Sequence, residues 1–163
     1  MVGPTPARRA PRALVIGLGA EHRGDDRIGL DVARALRPEA RGEFDVAEAP
    51  GDASGLLDLW AGRETVVVVD AVRSGSPPGT VRRVELGSSE LPEGPAITST
   101  HGLSLREAVA LGRAVGRMPR RLTVVGVEAA DLGLRDGLSA PVARSLGAAV
   151  QAVRLALADR ASP

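Results

Sequence analysis

The stretch Thr65-Val66-Val67-Val68-Val69-Asp70 sets four consecutive valines between a threonine and an aspartate. β-Branched side chains suit an extended backbone, and a run that is apolar on both faces suits a strand covered on both sides. The pattern therefore predicts a central strand that ends on Asp70. Upstream, Ala13-Leu14-Val15-Ile16-Gly17-Leu18-Gly19 is a second short apolar run closed by glycines, and it reads as another buried parallel strand. Between the two, Ile28, Val32, Ala33 and Leu36 recur at helical spacing, which predicts a helix over Asp26 to Leu36 stopped by Pro38. Phe44 to Ala49 reads as a weaker strand, and Asp52 or Ser54 can cap a short helix through Leu56, Leu57 and Trp60.

Downstream of the valine run the chain changes character. Ser74 to Gly79 is rich in Ser, Gly and Pro and makes a turn. Thr80 to Leu86 then mixes apolar and charged positions, as a half-exposed edge strand does, and antiparallel pairing is expected there. Ser104 and Glu107 have the spacing of a capping box, so a helix is expected just after His101. Leu122 to Val127 predicts another buried strand. Ser139 is positioned to cap a last helix with a stripe of Val142, Leu146, Ala149, Val150, Val153 and Leu157. Strands that alternate with helices imply an α/β fold: a single domain with a largely parallel twisted sheet, one antiparallel edge strand and helices on both faces. That domain is expected over 13–160, behind a flexible and dispensable Pro/Arg-rich tail at 1–12.

Composition removes several function classes. Of the 163 residues 44% are hydrophobic, enough for one core, yet Phe44 and Trp60 are the only aromatics, so stacking on bases is hardly available. The 21 basic residues, all Arg, are balanced by 20 acidic ones, and no basic block tracks a nucleic-acid backbone. No run approaches the roughly 20 apolar residues that span a bilayer. Arg8, Arg9 and Arg12 before Ala13–Ala20 superficially resemble an export signal, but the apolar run leads into Glu21, His22, Arg23, Asp25 and Asp26 instead of a small-residue cleavage site. With no Cys there is neither a disulfide nor a thiolate, which fits a cytoplasmic protein.

In parallel sheets ligands bind beyond the carboxyl ends of the strands, so polar groups just after strands carry the search for function. Asp25 and Asp26 follow the first strand, Asp70 ends the valine run, and His101 precedes a helix. Two carboxylates and an imidazole can hold a borderline divalent metal. Taken singly, each has a plainer reading: Asp26 as a helix cap, Asp70 as a turn residue, His101 as a surface histidine. Gly17-Leu18-Gly19 hints at a dinucleotide-binding turn, but His22 stands where the third glycine belongs, and the acidic pair would repel a pyrophosphate. Ser99 lies near His101, although nothing places its hydroxyl on the imidazole as a serine nucleophile would need.

These blocks also carry a resemblance. Gly17-Leu18-Gly19 through Gly24-Asp25-Asp26 to Gly29 resembles the opening motif of the hydrogenase maturation endopeptidases. Val66 to Val72 leading to Pro78-Gly79-Thr80-Val81 is similar to that family's Asp-Ala strand end and Pro-Gly-Thr turn. Ser99-Thr100-His101-Gly102-Leu103-Ser104-Leu105 resembles its Ser-x-His-x-Leu segment, and Val125-Gly126-Val127-Glu128 its Gly-x-Glu strand end. The blocks stand in family order from about residue 13 to 158.

The resemblance implies that Asp26, Asp70 and His101 bind nickel already installed in the large-subunit precursor of a nickel-iron hydrogenase. A C-terminal extension of that precursor is then removed. Nickel would come with the substrate, no tightly bound resident metal is expected, and the enzyme is expected to be a monomer. Asp25, His22 and Glu128 are candidate substrate contacts, with a solvated loop histidine as the plainer reading of His22. Ala20 in place of Asn, Asp26 where Glu is frequent and Arg27 in place of a frequent Gly depart from the family pattern. Other function classes are a non-cleaving chaperone of a metal subunit and a nucleotide-binding α/β protein.

Overall fold

The computed structural model describes residues 13–86 and 102–159, so the expected tail over 1–12 and His101 lie outside the described residues. Five strands form one sheet: β1 (Ala13–Leu18), β2 (Asp45–Ala49), β3 (Thr65–Val72), β4 (Val81–Leu86) and β5 (Arg121–Glu128). Their order is β2-β1-β3-β5-β4, parallel except for β4, which pairs antiparallel with β5 at the edge. Four α-helices connect them: α1 (Ile28–Ala40), α2 (Ala53–Trp60), α3 (Gly102–Ala114) and α4 (Ala140–Ala158). The expected mixed sheet with one antiparallel edge is the fold observed.

Strand alternation divides the core in two. Val15, Val67, Val69, Val125 and Val127 pack with α1 and α4 on one face. Leu14, Ile16, Val66, Val68 and Val124 pack with α2 and α3 on the other. Trp60, the only tryptophan of the chain, is fully buried in the second cluster and reports unfolding by fluorescence.

Several local expectations differ from the structure. Pro38 does not stop α1, which runs on to Ala40 and ends at Arg41 in the left-handed region (φ 34°). A proline removes one N–H and crowds the carbonyl four residues back, costs that an exposed last turn can absorb. Ser104 is not the cap of α3, because the helix already begins at Gly102. Asp70 does not end β3 but lies inside it, since the strand pairs with β5 through Val72↔Glu128.

α1 crosses β1 and β3 at unusually short range. A Cβ on Gly29 would stand 2.2 Å from the Leu18 carbonyl oxygen and 2.5 Å from that of Val69, and one on Gly17 would stand 2.2 Å from the Gly29 carbonyl oxygen. Glycine is needed at both positions because two backbones meet there. Gly17, one of the two glycines that hint at a nucleotide turn, thus serves with Gly29 to bring the start of α1 down onto the sheet.

Candidate functional site

The chain leaves β1 for β2 on one side and returns to β3 on the other, so the strand order reverses between β1 and β3. In open α/β sheets such a reversal leaves a crevice at the carboxyl ends of the two strands. Asp26 and Asp70 lie in elements that border this reversal. Asp26 lies in a short 3-10 helix (Gly24–Arg27) between β1 and α1, and that helix packs against β3. The Asp26 backbone folds directly over Gly19, where a Cβ would lie 2.0 Å from the Asp26 carbonyl oxygen. Asp70 follows Val66 and Val68 on the α2/α3 face of β3, opposite Gly126 of β5.

Both acids are withdrawn from water, Asp26 at 2% exposure and Asp70 at 0%. Holding a carboxylate in such a place favours a positive partner beside it. His101 itself is not among the described residues. Gly112, late in α3, shares a cavity with Leu86, and Leu86 pairs with Leu122 near the start of β5. The far end of α3 is therefore at the amino edge of the parallel strands. Among the described residues no group of three His, Asp or Glu gathers as a metal site.

The other three candidates are held in different ways. The Asp25 carboxylate is fully buried and accepts from the backbone N–H groups of Ala130 (2.8 Å), Asp131 (2.8 Å) and Ser139 (2.7 Å) and from the Ser139 hydroxyl (2.9 Å). Its oxygens are thus committed to the segment between β5 and α4, a geometry that offers no surface to a substrate. This contact also explains why Ser139, although it precedes α4, does not cap it with its side chain. The Glu128 carboxylate, 4% exposed, accepts from the N–H groups of Ser74 (2.9 Å) and Gly75 (3.0 Å) and from the Ser74 hydroxyl (2.7 Å), so it shapes the turn between β3 and β4. His22 is the exposed one: its side chain is 82% accessible, and Nδ1 lies 2.6 Å from Oδ1 of Asp136. His22→Ala is expected to shift the melting temperature by less than about 2 °C, since exposed pairs of this kind contribute little to stability. Thermal unfolding followed by Trp60 fluorescence checks this.

Sequence reasoning did not find the ionic network on the outer side of the same loop. Arg34 of α1 hydrogen-bonds Glu21 of the loop and Glu48 of edge strand β2 (2.7 Å), while Arg27, in place of the frequent glycine, makes a two-point contact with Asp31 (2.9 and 3.0 Å). The Arg34 guanidinium holds the Glu48 carboxyl below its ordinary 4.5, with Arg37 adding to the effect. A lowered folded value means the stabilisation is complete above 4.5 and is lost as pH falls through the folded value. Glu48→Gln should flatten the acid limb of the stability curve below about pH 4.5 and cost at most about 1 kcal/mol at pH 7, as measured by Trp60 fluorescence.

Comparison with known proteins agrees with the resemblance in the sequence. The model of the hydrogenase maturation protease family matches residues 31–155, a segment that contains Asp70 and His101. The hydrogenase expression/formation protein HupD of Thiocapsa roseopersicina is 33% identical over 129 residues, covering 77% of this chain; the match spans only 58% of that relative's length. The hydrogenase 2 maturation protease of Escherichia coli is 30% identical over 154 residues, covering 91% of this chain and 92% of that protein. Among solved structures, the E. coli hydrogenase maturating endopeptidase HybD superposes with a TM-score of 0.75 at 25% identity over 92% of this chain and 94% of that one. The [NiFe] hydrogenase maturation protease HybD of Thermococcus kodakarensis gives 0.70 at 28% identity over 89% and 99%. On the family model and these relatives together, the chain belongs to the hydrogenase maturation protease family.

Proposed function

We propose that this chain removes a C-terminal extension from the nickel-loaded large-subunit precursor of a nickel-iron hydrogenase, with Asp26, Asp70 and His101 reading the nickel. The observation that supports this most is the pair of buried carboxylates at the β1/β3 crevice. Carboxylate oxygens and an imidazole nitrogen suit a borderline divalent ion. Here the nickel is part of the substrate: it arrives with the precursor and identifies one that is ready to be cut. The role of the chain's own residues is to place two negative charges and one imidazole where that ion must come, in a setting from which water is largely withdrawn and electrostatic contacts are strong.

No thiolate is available to lock a metal in place, since the sequence has no Cys. The isolated enzyme should therefore purify largely free of nickel, and elemental analysis of the purified protein checks this. No helix among the described residues is long and apolar enough to cross a membrane, and the cysteine-free composition suits action in the cytoplasm. Mass spectrometry of a nickel-loaded precursor before and after incubation tests the proposal: loss of the C-terminal extension supports it, and an intact precursor in a stable complex would point to a chaperone instead.

A further inference from the structure

Asp25 and Asp26 are neighbours in sequence with separate fates. In a 3-10 turn successive side chains diverge by about 120°, so Asp25 can be anchored on one side while Asp26 remains with the crevice. The anchoring is extensive. Besides the four hydrogen bonds accepted by its carboxylate, the Asp25 N–H donates to the Asp131 carbonyl (2.8 Å), the Gly24 N–H to that of Arg135 (3.0 Å), and the Arg135 N–H to that of His22 (3.1 Å). Residues 22–25 and 130–139 are thus sewn into one unit whose knot is a carboxylate with no exposure to solvent. Leu132, itself buried in the α1/α4 core, fixes the second segment to the body of the fold. The segment bearing Asp26 has one short covalent tether on each side, to β1 and to α1, and this knot between them.

We infer that Asp25 is a positioning residue: it does not touch the precursor, and it sets the place and direction of Asp26 by tying the 3-10 turn to the β5–α4 segment. The inference rests on the proposed role of Asp26 in reading the precursor's nickel. A carboxylate suits this knot because all four contacts are donors pointing at it, three of them backbone N–H groups. An amide in its place would turn an NH2 group toward at least one of those donors. A misplacement of about 1 Å can lower turnover about a hundredfold.

The test compares wild type, Asp25→Asn, Ser139→Ala, Ser139→Thr and the core truncation Val153→Ala. All are assayed on nickel-loaded precursor at a temperature where circular dichroism and Trp60 fluorescence show each to be folded. The expected result is a fall in kcat/KM of about a hundredfold for Asp25→Asn and about tenfold for Ser139→Ala. Ser139→Thr, which keeps the hydroxyl, should restore most of the loss. Val153→Ala, which loses stability at a fully buried position in α4, should cut at the wild-type rate. A folded Asp25→Asn within twofold of wild type would overturn the inference, as would equal losses in Asp25→Asn and Val153→Ala, which would make the effect one of stability alone. If Asp25→Asn does not fold, the decision falls to the serine pair, and a folded, fully active Ser139→Ala overturns it. Failure of the wild type to cut would instead remove the proposed function, a distinct outcome.

Discussion

Asp70→Asn should reduce removal of the C-terminal extension by more than about a hundredfold, since changes one shell away from a metal already cost about 10- to 100-fold. The fold should remain, because Asn nearly keeps the shape of a side chain that is 0% exposed. The reason for expecting a large effect is position. Asp70 lies within β3, paired with Gly126 of β5 and directly after the last pairing with β1, Gly17↔Val69, so the sheet fixes the place of its backbone. His101→Ala, which removes the only nitrogen donor of the proposed trio, should fail equally. End-point mass spectrometry of the precursor, with circular dichroism of each variant, reads both effects. Wild-type cutting by a folded Asp70→Asn would remove Asp70 from the site.

Gly29→Ala should produce the largest loss of stability. The added methyl has no free space, since it would meet backbone carbonyl oxygens of Leu18 and Val69 at 2.2 and 2.5 Å. Backbone in paired strands cannot yield as a flexible side chain can, so the start of α1 must lift off the sheet. A cost of about 3 kcal/mol is expected from overpacking of this severity, or a fall in melting temperature of roughly 6–12 °C for a domain of this length. Trp60 fluorescence during thermal unfolding measures it. A stability within 1 °C of wild type would mean that α1 and the sheet do not meet as closely as described. Because the 3-10 turn with Asp26 runs directly into α1, the same variant should also lose cleavage activity at temperatures where it is still folded.

The elements whose evidence is local could be read from the sequence. The valine run gave a central strand, the alternation of Thr80–Leu86 gave the antiparallel edge, and the apolar stripe from Val142 to Leu157 gave α4. The crevice at the carboxyl edge followed from the order of elements; Asp26 does follow β1, whereas Asp70, expected at the end of its strand, lies inside β3 because the pairing with β5 runs on to Val72. What could not be read depends on contacts between distant segments. Nothing near Asp25 shows that its oxygens will be met by N–H groups more than 100 residues away, nor does anything near Glu128 reveal the Ser74 and Gly75 amides. Side by side in sequence, Asp25 and Asp26 are the same residue, and only the tertiary fold gives one of them to a backbone knot. The Arg34 bridge from Glu21 to Glu48 was hidden for the same reason. Exposed Arg and Glu are abundant throughout the chain, and no spacing rule distinguishes this pair of contacts from the rest.

The reading of nickel by this fold is tested most directly by giving the enzyme one large-subunit precursor in two forms, nickel-loaded and nickel-free, and following the mass of each over time. The extension should be lost from the nickel-loaded form alone, and the nickel-free form should stay intact even with excess enzyme. Equal cutting of the two forms would contradict the proposal that Asp26, Asp70 and His101 read the substrate's metal.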